Sequence, residues 1–276
     1  MDSVLILVPK TIKAKHPSLA SMKFIALCKQ SNINFEIHTS NKIANTPPDT
    51  IFLSTLFTYN SKKYRNVINF YQQLYPTATW RIGGIFASLM PQYFITNFGI
   101  QPFIGLSNEL DAYVPDFLEL EKHEIVTDKL ILYASRGCPR RCEFCCVHKI
   151  EGEFEPIRSI LPIINNYKEQ RDFSGLVLFD NNFTYHPYFN DIVNEIYESK
   201  LPVDFSQGLD NLVINEDQVK QLSKLSWGSQ SQNGTNYIRF ACDNWKQING
   251  LERSLRLCKE HNIKANYFAY FLYNFN

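Results

Sequence analysis

The sequence predicts an α/β protein in two parts, and three observations carry that prediction. Strand-like and helix-like segments alternate through residues 1–112. A second alternating series runs through residues 130–276. Four cysteines crowd into nine residues straight after the first strand of that second series. Alternating strands and helices predict parallel sheets with helices on their faces.

In the first series, Val4–Val8 is a short apolar run. Leu19–Gln30 has helical spacing, with Leu19, Met22, Ile25 and Ala26 on one face. Asn34–His38 and Thr50–Thr55 read as strands. A helix is expected over Ser61–Leu74, a strand over Thr79–Ile85 and a fifth strand over Gln101–Gly105. Ligands of such sheets sit beyond the carboxyl ends of the strands, which here are the loops Pro9–Ser18, Leu56–Asn60 and Gly83–Ser88. Residues 113–129 are charged and weakly periodic, and read as a linker between domains.

The second series begins with Leu130–Ala134, a strand running into the cysteine loop. Ile157–Tyr167 is a helix with Ile160, Ile163, Ile164 and Tyr167 on one stripe. Strands follow at Leu176–Phe179, Val203–Ser206, Tyr237–Ala241 and Ala265–Leu272. Helices are expected over Tyr188–Tyr197, Glu216–Leu225, where Asn215 is the N-cap, and Leu251–His261.

The chain of 276 residues is 45% apolar, enough to bury the cores of two modest domains. A net charge of +1 argues against bulk electrostatic nucleic-acid binding, though a local basic groove is compatible with it. No apolar run reaches the roughly 18 residues of a membrane span, and the N-terminus reads as a strand rather than a signal peptide. A cytoplasmic protein with no membrane partner is the expectation. Seven cysteines, an odd number with four clustered, read as metal-binding or redox groups rather than a disulfide framework.

The strongest signal is Cys138-Pro-Arg-Arg-Cys142-Glu-Phe-Cys145, preceded by Gly137. Three thiolates on one short loop can ligate three corners of a [4Fe–4S] cluster and leave the fourth iron open. Zinc is the rival, with Cys146 or His148 as a fourth ligand. Buried apolar cysteines are the blandest alternative.

This spacing, with the aromatic Phe144 before the last cysteine, resembles the signature of the radical S-adenosylmethionine (SAM) superfamily. The stretch Ser135-Arg136-Gly137-Cys138 through Cys145 looks like the branch with an N-terminal cobalamin-binding-type domain. Phe57-Thr58-Tyr59 and Gly83-Gly84-Ile85 look like that domain's loops. The resemblance covers most of the chain. It implies a Rossmann-like N-terminal domain over 1–112 and a partial radical SAM βα barrel over 130–276. It implies an enzyme whose cluster, fed by an external electron donor, cleaves SAM to a 5′-deoxyadenosyl radical, or assists methyl transfer through cobalamin. The substrate, small or macromolecular, is not legible.

By resemblance, Cys138, Cys142 and Cys145 ligate the cluster and Phe144 lies near the adenine. Asp180 and Asn181, at the second strand's end, stand where the superfamily contacts the SAM amino group. Gln207, Asp210, Arg239 and Asp243 end the third and fourth strands and are SAM or substrate contacts. An ion pair of Arg239 with Asp210 or Asp243 is the structural alternative. His148, Lys149, Glu151 and His186 receive no role. Two departures matter. The Asp-x-His-x-x-Gly segment that supplies an axial histidine to cobalamin is missing, since Lys15-His16-Pro17-Ser18 does not match it. Cobalamin would then bind without that ligand, or the domain serves as a scaffold. The barrel stops at its fifth strand, so a fragment, a partner-completed form or an inactive remnant, an iron–sulfur or zinc module without catalysis, is the alternative.

Overall fold

The structure, a computed structural model, describes residues 3–12, 16–229 and 234–273; Lys15 and the final Asn276 of the sequence reading lie outside them. The chain divides into two compact units, Met1–Thr127 and Asp128–Asn276. Both are α/β, and every strand pairing in them is parallel except one two-residue ladder. Among the described residues no helix is long and apolar enough to cross a membrane.

The first unit runs β1 (Ser3–Leu7), α1 (Leu19–Gln30), β2 (Asn34–His38), β3 (Thr50–Ser54), α2 (Ser61–Leu74) and β4 (Thr79–Gly83), then the short helices α3 (Ile85–Leu89), α4 (Pro91–Phe98), α5 (Asn108–Asp111) and α6 (Phe117–Glu121). Its sheet has the order β2-β1-β3-β4, so the chain reverses direction across the sheet between β1 and β3. The architecture is compatible with a Rossmann-like fold. Side chains alternate across the strands. Leu5, Leu7, Ile51 and Leu53 share a core with Tyr64, Ile68 and Tyr71 of α2 and Phe86 and Phe94 of α3 and α4. On the opposite face Phe52 stacks on Phe24 of α1 at 4.1 Å. Ser18 caps α1 by accepting from the Ser21 N–H, as its position before the apolar stripe requires.

Gln101–Gly105 is not a strand. Pro102 has no N–H to give a ladder, Gly105 turns at φ +85°, and one bond, from the Phe103 N–H to Ile82 O, attaches the segment to β4. Residues 113–127 also differ from expectation. They belong to the first unit, where α6, capped by Asp116, buries Phe117 and Leu120, and Lys29 of α1 pairs with Asp116 and Glu119.

The second unit runs β5 (Lys129–Leu132), β6 (Ser135–Arg136), α7 (Val147–Ile150), β7 (Glu155–Pro156), α8 (Leu161–Gln170), β8 (Gly175–Leu178), α9 (Phe189–Ser199), β9 (Val203–Phe205), β10 (Leu209–Asp210), α10 (Glu216–Leu222), β11 (Tyr237–Cys242), α11 (Ile248–Glu260) and β12 (Asn266–Phe271). Helix α8 starts at Leu161 rather than Ile157 because Pro162 sets its first turn, while the Ile157 N–H is spent on Ala134 O. Two three-stranded sheets form, β5-β8-β9 and β10-β11-β12. The expected strand Val203–Ser206 is β9, and the stretch Gln207–Asp210 at its end contains a separate strand, β10, in the other sheet: β9 pairs with β8 and β10 with β11, and Gly208 makes the step between them at φ +87°. Core strands β5, β8 and β9 are buried throughout, whereas β12 is largely exposed and pairs with β11 alone.

Candidate functional site

The cysteine loop leaves β6 and returns through β7. The antiparallel ladder Ser135↔Pro156 and Arg136↔Glu155 closes it at its base. Gly137 sits at φ +69°, and a Cβ there would lie 2.2 Å from Glu153 O, so only glycine fits. Its N–H donates to Glu151 Oε2 at 2.9 Å, which also accepts from Asn181 Nδ2 at 3.0 Å. Glu151, with no role from sequence, thus ties the loop's start to the end of β8.

Within the loop, the Cys145 N–H donates to Cys142 O at 3.0 Å and the Arg140 N–H to Cys138 Sγ at 3.4 Å. The three motif thiols are half-buried and lie within electrostatic range of one another: Cys145 acts on Cys138 and Cys142, and Cys138 on Cys142. Burial pushes both Cys138 and Cys142 up. The Arg140 N–H and Asn182 oppose this at Cys138, and the Arg140 charge opposes it at Cys142. Among the described residues no three His, Cys, Asp or Glu side chains converge tightly enough to hold a single metal ion.

Two carboxylates and an amide reach this loop from later strands. Asp210, ending β10, meets the Arg140 guanidinium: Nη2 donates to Oδ1 at 3.2 Å, and Nε lies 2.5 Å from Oδ2, too bent to count as a hydrogen bond. Asn182, buried after β8, donates through Nδ2 to Asp210 Oδ2 at 3.1 Å, and its Oδ1 has no partner. Asp243, directly after β11, lies in the field of Cys142, Asp210 and Arg140. Burial and then Asp210 raise its pKa, against Arg140. It has no ion-pair partner among the described residues. Of the residues singled out from sequence, Asp210 and Asp243 therefore join the cysteines. Arg140 and Asn182 were missed as partners, although Arg140 lies inside the motif and Asn182 two residues beyond Asp180.

The other candidates go elsewhere. Arg239 pairs with neither Asp210 nor Asp243. Its Nη1 meets Asp204 Oδ2 at 2.6 Å, a buried pair joining β11 to β9 where the two sheets are not hydrogen-bonded. Both ends are shielded from water, which explains why the charges find each other. Asp180 lies under the loop's entrance rather than open to it. It accepts from the Ala134 N–H at 2.9 Å and from Ser135 Oγ at 2.6 Å, and burial pushes it up to about 6 against those bonds. His186, likewise buried, donates from Nε2 to Ala134 O and accepts the Tyr188 N–H on Nδ1, which sets its tautomer. Gln207 is exposed and bonds to Ser206 Oγ, and Phe144 is 41% exposed. His148 keeps a buried Nδ1 with no partner.

In the first unit, Gly83-Gly84 serves packing. A Cβ on Gly84, at φ +96°, would stand 2.2 Å from Thr55 O, and Thr55 Oγ1 donates to Gly83 O. The glycine pair is spent on joining β3 to β4.

Fold and site together define an α/β protein whose second unit gathers three cysteine thiols, two carboxylates and a guanidinium beyond the ends of its strands. No known family profile matches the chain, and no curated protein matches it.

Proposed function

We propose that the second unit is a partial radical SAM barrel that holds a [4Fe–4S] cluster on Cys138, Cys142 and Cys145 and cleaves SAM reductively to act on an unidentified substrate. The observation that carries this reading is the donor set: three thiols on one βα loop in mutual electrostatic range, facing Asp210 and Asp243. The ligands of a cubane bind three different irons, so they need not converge on one point as ligands of a single ion must. When bound, the cluster would supply the electron that breaks a SAM C–S bond to give the 5′-deoxyadenosyl radical. The chain's own groups do the rest. Gly137 and Glu151 set the loop's path. Asp243, with no ion-pair partner among the described residues, is a carboxylate placed for a cationic ligand, as a sulfonium with an ammonium is. Asn182 offers a buried carbonyl oxygen to a donor. Electrons come from an external donor protein.

The residues of the first unit do not offer cobalamin a comparable fit, because the Gly84 cradle is filled by Thr55. We assign that unit a scaffold role and route no step through cobalamin. Zinc is the second reading, with the unpartnered Nδ1 of His148 as a spare donor, but a single ion needs donors that converge on one point, and among the described residues no three do.

The test is anaerobic reconstitution with iron and sulfide, then reduction with dithionite in the presence of SAM, measuring 5′-deoxyadenosine. Product from the native chain and none from the Cys138/Cys142/Cys145→Ala triple variant supports the enzyme. A cluster without product favours the non-catalytic iron–sulfur module. Tight zinc with no cluster moves the assignment to zinc.

A further inference from the structure

We infer that Asp210 is a positioning residue: its ion pair with Arg140 latches the cysteine loop to the end of β10 and holds the Arg140 N–H on Cys138 Sγ. The redox part of this inference rests on the cluster reading, and the structural part does not. Arg140 is the middle residue of the gap between Cys138 and Cys142, so whatever fixes it bears on the separation of those two sulfurs. Nothing regular does so. The segment from Gly137 to Cys146 has no strand or helix, and its internal bonds are the Cys145–Cys142 turn and the N–H···S contact.

Asp210 is well placed for the task. Its own backbone is held by pairing of β10 with β11 and by its N–H donating to Thr184 Oγ1 at 2.9 Å. Its carboxylate takes Arg140 on both oxygens, Asn182 Nδ2 on Oδ2 and the Leu212 N–H on Oδ1. The Arg140 side chain is 27% exposed and that of Asp210 11%, so solvent screens the pair only in part. A hydrogen bond to a ligating sulfur tunes a cluster's potential, which makes the latch a control on the redox step as well as on geometry.

Amide hydrogen exchange on the full chain without metal reads the latch directly. Asp210→Ala and Arg140→Met are each expected to speed exchange at residues 140–142 by about fivefold to thirtyfold, with β5 and α9 unchanged. The double variant should be no faster than either single one, because both remove the same contact. The charge-exchanged pair, Asp210→Arg with Arg140→Asp, should restore part of the protection. Asp210→Asn, which keeps the shape and the Asn182 contact, covers the case that Asp210→Ala fails to fold. Unchanged loop exchange, or effects that add in the double variant, overturns the latch. On the reconstituted chain, Arg140→Met should shift the cluster's midpoint potential to more negative values, because it removes a positive charge and the ion pair that holds the backbone N–H of residue 140 on Cys138 Sγ. A cluster that forms in Arg140→Met with an unshifted potential overturns the redox part. A native chain that takes up no cluster defeats the cluster reading and leaves the exchange result to decide the latch.

Discussion

The two units spend their buried polar groups differently. In Met1–Thr127 the inward-facing groups are mostly hydroxyls that satisfy nearby backbone. Tyr75 accepts the Ala44 N–H, Tyr64 accepts the Leu56 N–H, and Thr55 bridges β3 to β4. His38 sits between Glu36 and Tyr71, 2.7 Å from each, and burial lowers its pKa against the opposing pull of the Glu36 carboxylate. In Asp128–Asn276 the buried groups include full charges, Asp180 under the loop and Asp204 with Arg239, and Asp210 with Arg140 is partly buried. A buried hydroxyl costs little once bonded, whereas a buried charge costs several times more and tolerates the loss of its partner badly. The first unit is built for packing. The second carries electrostatic cost at the loops where we propose its chemistry.

That contrast can be broken, most forcefully at the Asp204–Arg239 pair. Arg239→Met should destabilise the second unit by about 3–5 kcal/mol, because it strands a buried carboxylate, and Arg239→Met with Asp204→Leu should recover most of that. Urea unfolding checks both, and equal losses in the single and double variants would contradict the account. Next come Gly137 and Gly84, where an added Cβ would lie 2.2 Å from a backbone oxygen at positive φ. Gly137→Ala should cost about 3 kcal/mol and abolish iron uptake, while Gly84→Ala should cost a similar amount in the first unit and leave iron uptake intact. Iron content measured beside thermal unfolding separates them.

Asp180 supplies a pH test of smaller size. Its folded pKa of about 6 exceeds the ordinary value of 3.8, so the folded state binds the extra proton between them. Its contribution to stability is present below about pH 4 and is lost as pH rises to about 6, amounting to about 2–3 kcal/mol. Asp180→Asn should remove that slope. Unfolding the two proteins in urea at about pH 4 and about pH 7 measures it, and parallel curves would place the proton elsewhere. Smallest is Asn215→Ala, which deletes the capping box with Gln218 at α10 and should cost about 1 kcal/mol.

Local rules made much of this legible. The spans Leu19–Gln30, Asn34–His38 and Ser61–Leu74 were readable residue for residue, and Asn215 as a cap, because periodicity and capping act within a few positions. The spacing of Cys138, Cys142 and Cys145 on a loop after a strand is local in the same sense. Two α/β series and the loop that presents three thiols follow from local pattern alone. Which charges meet is settled by the folded chain. Arg239 takes Asp204 rather than Asp210 or Asp243, Arg140 takes Asp210, and Asp180 goes under the loop, because each choice depends on how strands far apart in sequence are registered. The same holds for the step at Gly208 between β9 of one sheet and β10 of the other, and for α6, whose buried Phe117 and Leu120 belong to the first unit. Pairing of distant charges and burial of short segments are settled by desolvation in the folded chain, and no local pattern encodes them.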